Sequence, residues 1–194
     1  MIKKLELYLL GLIAAMLAIL TIGAIAGWQF TDVFAISFFS FWGILFLYYA
    51  IVTRSYYSLI ILGLMAGAAG LLLGLLQKPG AEPAVLLGKI SLGVFTGLLG
   101  YHLFKIRNEI QDNQFIYLGL LLVLVIQLFA HDYRTFEAVS LKGFANYAGL
   151  GVIMHVLLND YLSLPLTQAE KRVLILQAVF CLYNICWMLI GTFV

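Results

Sequence analysis

Charged side chains are scarce in this sequence: Asp, Glu, Lys and Arg make up 10% of the 194 residues, and 64% of the residues are hydrophobic. A soluble domain carries about 25% charged residues, and no soluble core of this size would hide so much apolar surface. The sequence therefore predicts an integral membrane protein. Lys and Arg number 11 against 9 Asp and Glu. This balance argues against a nucleic-acid partner, which requires many basic contacts to phosphates.

Cysteine and proline are also rare. The two cysteines, Cys181 and Cys186, lie five positions apart in one apolar run, a spacing that places them on different faces of a helix. We interpret them as small apolar core residues and not as a disulfide. No metal site is predicted, because the sequence has no HxxxH, HExxH or Cys/His cluster to supply a third or fourth ligand. The three prolines fall between the apolar runs, so none is expected inside a membrane crossing.

The apolar residues are grouped in seven runs separated by short polar segments. The predicted crossings are residues 5–27, 32–53, 56–77, 84–105, 114–131, 136–158 and 172–194. A crossing takes about 20 apolar residues, so seven of them use almost the whole chain. We therefore expect a single transmembrane helical-bundle domain over residues 1–194. The start has features of a signal peptide, but the apolar stretch from Leu7 to Ile25 exceeds a usual signal core. This stretch is predicted to be the first transmembrane helix.

The basic residues of the connections are unevenly divided between the two sides of the membrane. With seven crossings, one side receives Lys3, Lys4, Arg54, Lys105, Arg107, Lys171 and Arg172, and the other receives Lys78 and Arg134. Cytoplasmic loops carry the excess of Lys and Arg. The count predicts a cytoplasmic N-terminus and an outside C-terminus.

Glycines at helical spacing mark the third and fourth crossings. The third contains Gly63, Gly67, Gly70 and Gly74, and the fourth contains Gly93, Gly97 and Gly100. Small residues at this spacing let two helix backbones approach closely in lipid. We expect these two faces to pack against each other. A glycine-lined pathway and a contact between two copies of the chain are the alternatives.

Ionisable residues inside the apolar runs are functional candidates, because a charge within the bilayer is costly. The candidate substrate-binding residues lie toward the outer end and are Lys89, Lys142, Arg134, Glu137 and His131. The sequence predicts that they line an outward-facing basic cavity. The alternative is that both lysine stems carry their charges to the interface, where Glu82 or Glu137 neutralises them.

Two histidines form a second candidate group. His102 and His155 lie about one turn from the cytoplasmic ends of the fourth and sixth crossings, by helix rise. Their equal depth allows a polar pair that ligates a metal or relays a proton, oriented by Asp160 or Glu109. The favoured interpretation is that both are interfacial histidines with hydrogen bonds to backbone or to lipid headgroups. Side-chain amides such as Gln127 and Gln177 are instead expected to form hydrogen bonds between helices.

These patterns rank three functions. The first is transport or binding of an anionic solute or lipid headgroup through the basic cavity. The second is a non-catalytic accessory or assembly subunit, whose glycine faces pack against a membrane-protein partner or a second copy of the chain. The third is an intramembrane enzyme with Ser91 or Ser140 paired with a lysine, for which no GxSxG motif exists. The sequence does not identify whether a cofactor is bound or which cellular membrane holds the protein.

Overall fold

A computed structural model describes residues 2–27, 31–108, 110, 114–129, 136–158 and 166–193. Regular structure in these residues is entirely α-helical, which confirms the predicted all-α fold for this part of the chain. The helices are α1 (Ile2–Ile25), α2 (Thr31–Thr53), α3 (Tyr57–Leu75), α4 (Ala81–Lys105), α5 (Gln114–Phe129), α6 (Phe136–Leu158) and α7 (Gln168–Phe193). Their bounds follow the predicted crossings closely. The largest difference is at α7, which begins at Gln168 instead of residue 172.

Four of these helices are long and apolar enough to cross a membrane. The spans are Glu6–Ile25, Ala35–Thr53, Tyr57–Leu75 and Ala81–Lys105, and Gln114–Leu128 and Asn146–Leu157 are shorter apolar helices. Large apolar side chains are exposed on every helix, as at Leu7, Ile51 and Phe115. Exposed apolar surface on this scale marks contact with lipid or with another protein.

The described helices fall into two compact units. The first comprises Met1–Ile90 and Cys186–Val194, and the second comprises Ser91–Ile185. Helices α4 and α7 therefore each contribute residues to both units. Each unit has its own packing contacts, and the single domain expected over residues 1–194 stays a prediction.

Helix α2 contributes an aromatic face to the interior of the first unit. The buried residues of this face are Phe38, Phe39, Trp42, Phe46 and Tyr49. The Trp42 ring lies 5.4 Å from the Phe38 ring and 5.4 Å from the Phe46 ring, measured between centroids. Tyr49 Oη donates a hydrogen bond of 2.6 Å to Glu6 Oε1 of α1. Because the acceptor is a carboxylate, this bond is charge-assisted and joins the start of α1 to the end of α2.

Helices α3 and α4 approach each other through glycine in the first unit. A Cβ added to Gly67 would lie 2.8 Å from Gly88 Cα, and a Cβ added to Gly70 would lie 2.7 Å from Val85 N. Real Cβ atoms do not approach backbone this closely, so both positions require glycine. The α3 face is the one that the sequence predicts, but its partner on α4 is Gly88.

The predicted partner glycines of α4 have different surroundings. A Cβ on Gly93 would lie 3.8 Å from Leu128 Cδ2, and a Cβ on Gly100 would lie 3.8 Å from Leu121 Cδ2. These are ordinary van der Waals distances, so both glycines face α5. An added Cβ on Gly97 meets nothing within 4 Å. Within the first unit α4 meets α3 at Val85 and Gly88. Packing of Gly93, Gly97 and Gly100 against α3 stays a prediction.

A residue with a left-handed backbone conformation follows the end of α3. Gln77 has a φ of 53°, Lys78 N donates to Leu73 O at 2.8 Å, and Gln77 N donates to Gly74 O at 3.2 Å. This pair of bonds is a Schellman motif, which satisfies the last carbonyls of the helix. Pro83 then lies in the first turn of α4, although no proline was expected inside a crossing. Proline is tolerated there because N–H groups of the first turn have no partner within the helix.

A methyl group at Gly67 is expected to separate α3 from α4. Gly67→Ala should lower the free energy of unfolding by about 1–3 kcal/mol, the usual effect of overpacking. Gly97→Ala is the matched control, since nothing lies within 4 Å of its Cβ, and it should leave stability unchanged or slightly raised. Thermal unfolding of the purified variants in detergent measures the difference. Equal melting temperatures for the two variants would rule out the proposed close contact.

Candidate functional site

Lys89 is the candidate basic residue whose position the structure describes. It lies in the third turn of α4, directly after Gly88, and is half-buried. The close contact between Gly67 and Gly88 holds the backbone next to it. Along α4 it is the only charged residue between Glu82 and His102. The fold therefore places one ammonium group in an otherwise apolar stretch of helix.

The other four candidates for the basic cavity fall where the structure gives less detail. Lys142 and Glu137 belong to α6, but their side chains lie outside the described residues. His131 and Arg134 lie outside the described residues altogether. The positions of these four side chains relative to Lys89 lie outside what the structure describes, and the outward-facing cavity stays a prediction.

His102 has a carboxylate partner that sequence reasoning missed. Its Nδ1 lies 2.7 Å from Glu170 Oε1, which joins the last turn of α4 to the first turn of α7 within the second unit. The Glu170 side chain is 1% exposed, whereas the His102 side chain is 24% exposed. The carboxylate is thus the buried member of the pair, and the imidazole reaches the surface.

Glu170 also caps α7. Its Oε2 accepts hydrogen bonds from Thr167 N at 2.7 Å and from Thr167 Oγ1 at 2.9 Å. Glu170 N donates in return to Thr167 Oγ1 at 3.3 Å. This reciprocal arrangement is a capping box, and it places a negative charge at the helix N-terminus, where the helix dipole stabilises it. A buried charge of this kind is tolerated because several donors surround it.

A recognisable signal for this site exists in the sequence. Thr167 and Glu170 have the T-x-x-E spacing of a capping box just before an apolar run. The predicted start of the seventh crossing at residue 172 places both residues in a connecting segment, where no capping box is expected. Of the expected orienting carboxylates, Glu109 and Asp160 lie outside the described residues. His155 is exposed in the last turn of α6.

The second unit also contains a buried polar cluster. Gln127 Nε2 donates to Cys181 Sγ at 2.9 Å, and Gln177 Nε2 donates to Gln127 Oε1 at 2.7 Å. A Cβ on Gly149 would lie 2.7 Å from Val123 Cγ1 and 3.0 Å from Gln127 Nε2. Helices α5, α6 and α7 therefore meet at this cluster. Such bonds between helices stabilise a membrane bundle by about 0.6 kcal/mol on average, and we assign the cluster to packing.

Comparisons with protein-family models, with characterised proteins and with solved structures found no match to this chain. Function is therefore inferred from the chain's own residues. Among the described residues, no three His, Cys, Asp or Glu side chains are grouped so as to hold a metal ion. The chemistry that the described side chains offer is hydrogen bonding and charge, at Lys89 and at the pair of His102 and Glu170.

The capping box predicts a local effect of one hydroxyl group. Thr167→Val removes the hydroxyl with little change of shape and should destabilise the start of α7 by about 1 kcal/mol. Thr167→Ser keeps the hydroxyl and should behave like the wild type. Hydrogen exchange of the first amides of α7 in detergent reports the change. Protection of the Glu170 amide that is equal in all three proteins would contradict the role assigned to Thr167.

Proposed function

We propose that all seven helices cross a membrane, with the N-terminus in the cytoplasm and the C-terminus outside. The four long apolar helices support membrane crossing by α1, α2, α3 and α4. The helix bounds support the topology too, because Arg54, Lys105 and Lys171 then lie at helix ends on the same side. An excess of basic residues on one side is the pattern expected of cytoplasmic loops.

Labelling of single cysteines in intact cells tests the topology. In a background with Cys181 and Cys186 replaced by alanine, Lys78→Cys should react with an impermeant thiol reagent added outside. Arg107→Cys should react only after the membrane is permeabilised. Both residues are exposed, so burial does not account for a missing reaction. Labelling of both positions without permeabilisation would overturn the seven-crossing topology.

The function proposed for this protein is binding, and through it transport, of an anionic solute or lipid headgroup at the outer end of the helices. The position of Lys89 carries the proposal. A lysine inside an apolar span is costly and is retained where its charge has a use. The close contact of α3 with α4 fixes the backbone of Gly88 beside it, so the ammonium group extends from a rigid support. Lys142 and Arg134 belong to the same proposal through their place in the sequence.

Neutralising Lys89 should weaken anion binding without unfolding the protein. Lys89→Met keeps most of the stem and removes the charge, so affinity should fall about 10- to 100-fold, as for loss of a hydrogen bond to a charged group. Calorimetric titration of the purified protein with phosphate, glutamate and dioctanoyl phosphatidylglycerol measures this. Lys78→Met is the matched control, since Lys78 is an exposed lysine in the turn that precedes α4.

The double variant of Lys89→Met and Lys142→Met extends this test. If both lysines bind one ligand, the second substitution should add less than the first, because interacting residues give non-additive effects. If Lys89→Met alone and Lys142→Met alone both bind all three probes with wild-type affinity, the binding function is contradicted.

A second candidate function is that of an accessory subunit, and Gly97 is the observation that favours it. Gly97 is exposed on α4, and the space next to it is open. The flanking Val94 and Tyr101 are 49% and 71% exposed. A helix of a membrane-protein partner or of a second copy would pack closely at such a position. Lipid also covers exposed apolar surface, so this observation supports the accessory role less strongly than Lys89 supports binding.

A further inference from the structure

With Glu170 ionised, the hydrogen bond between His102 and Glu170 has a fixed direction. An ionised carboxylate accepts hydrogen bonds and donates none, so the hydrogen between His102 Nδ1 and Glu170 Oε1, at 2.7 Å, belongs to Nδ1. This holds for the neutral imidazole and for the imidazolium. As a result, Nε2 is the ring nitrogen that remains for a second partner, and Glu170 determines which way it points.

The Nε2 atom of His102 is the ring nitrogen that Glu170 does not engage. Within the part of the chain that the structure describes, His102 makes one hydrogen bond, the one to Glu170. Its side chain is 24% exposed although its partner is buried. The imidazole thus joins a rigid buried carboxylate on one side to the surface on the other, an arrangement suited to holding a group that arrives from outside the helices.

The charges near His102 favour an anion. Lys105 is exposed and follows His102 by three positions, so the two residues share a face of α4. Lys171 follows Glu170 in the first turn of α7, which adds a positive charge to the second helix of the site. The negative charge of Glu170 is stabilised by hydrogen bonds that include those from Thr167 N, Thr167 Oγ1 and His102 Nδ1.

A buried hydroxyl on α5 is an independent sign of a polar occupant near this level. Tyr117 is 2% exposed, and its Oη has no hydrogen-bond partner among the described residues. In the antiparallel packing of α4 and α5, Gly93 is opposite Leu128 and Gly100 is opposite Leu121. The same register places Tyr117 at the level of Phe104, within about one turn of His102 by helix rise. Buried hydroxyl groups are costly without a partner, so a polar group is expected at this end of the second unit.

We propose that His102, in its imidazolium form, anchors a phosphate-binding site, in which Nε2–H donates to a phosphate oxygen and Lys105 supplies a second positive charge. Phosphate is the favoured anion because His102 lies in the last turn of a membrane-length helix. The ends of such helices lie at the level of the lipid headgroups, where phosphates are concentrated. The phosphate belongs either to a lipid headgroup or to a soluble phosphate compound. Glu170 is a positioning residue, which holds the ring so that Nε2 faces the ligand.

Two substitutions of His102 separate binding from structure. His102→Asn keeps an N–H at the place of Nδ1, so the hydrogen bond to Glu170 persists while the donor at Nε2 is lost. His102→Gln extends its amide to the place of Nε2 and gives up the bond to Glu170. Binding at Nε2 predicts that His102→Asn loses affinity at unchanged melting temperature, and that His102→Gln retains more affinity at a lower melting temperature.

The probes are inorganic phosphate, dioctanoyl phosphatidic acid and, as a lipid without phosphate, dioctanoylglycerol. Titration of the full chain in detergent should show an affinity for a phosphate probe that falls about tenfold or more in His102→Asn, the loss expected for a charge-assisted hydrogen bond. Binding of dioctanoyl phosphatidic acid without binding of inorganic phosphate identifies a headgroup site. Binding of inorganic phosphate identifies a site for a soluble phosphate compound. The effect should persist in a Lys89→Met background, which keeps this site distinct from the one proposed around Lys89.

A spectroscopic measurement locates the contact. In protein with 15N-labelled histidine, the Nε2 signal that disappears in His102→Asn should shift when the phosphate probe binds. Unchanged affinity in His102→Asn would overturn the proposal. So would equal affinity for dioctanoylglycerol and the phosphate lipid, since the apolar chains would then account for binding.

Discussion

The constraint on which this fold depends is that an apolar environment offers no partner for backbone N–H and C=O groups. Each chain segment must satisfy them internally, and the α-helix is the local structure that does so. Under the proposed topology, this constraint accounts for the helical structure of the described residues from α1 to α7. It also places the demanding chemistry at helix ends, where four donors and four acceptors remain unpaired. The Schellman motif after α3 and the capping box before α7 both meet this demand within the chain.

Under the same proposal, contacts between helices follow from the apolar environment. Lipid chains are as apolar as leucine, so burial of leucine gives helices little reason to associate, and close packing and hydrogen bonds have to supply the attraction. The first unit uses close packing, at Gly67 and Gly88, and the hydrogen bond from Tyr49 to Glu6. The second unit uses the amides of Gln127 and Gln177. Packing explains the presence of these glycines, of the hydrogen bond to Glu6 and of the two amides, without a catalytic or transport role.

The helices could be predicted from the sequence because a membrane-length apolar run is a long, continuous signal. The faces through which neighbouring helices contact each other could not be predicted from the sequence. The spacing of Gly63, Gly67 and Gly70 marks a face of α3, but no spacing indicates whether α4 meets it with Gly88 or with Gly97. Glu170 was missed because polar residues at a helix start resemble a loop unless the capping pattern is recognised. The binding role of Lys142 and the other basic residues near it is predicted only from their places in the sequence. A sequence does not show where their side chains lie relative to one another.

The contact of Gly67 with Gly88 has a consequence for how this protein tolerates change. In most cores, an enlarged side chain can be accommodated by a smaller neighbour elsewhere in the contact. Here both partners are already the smallest residue, and the atoms that meet are backbone atoms. No substitution at the opposing position can make room for a new methyl group. A protein that acquires a larger residue at either position must therefore move α4 as a rigid body or lose the contact. At this pair, a change of sequence requires a change in the position of a helix.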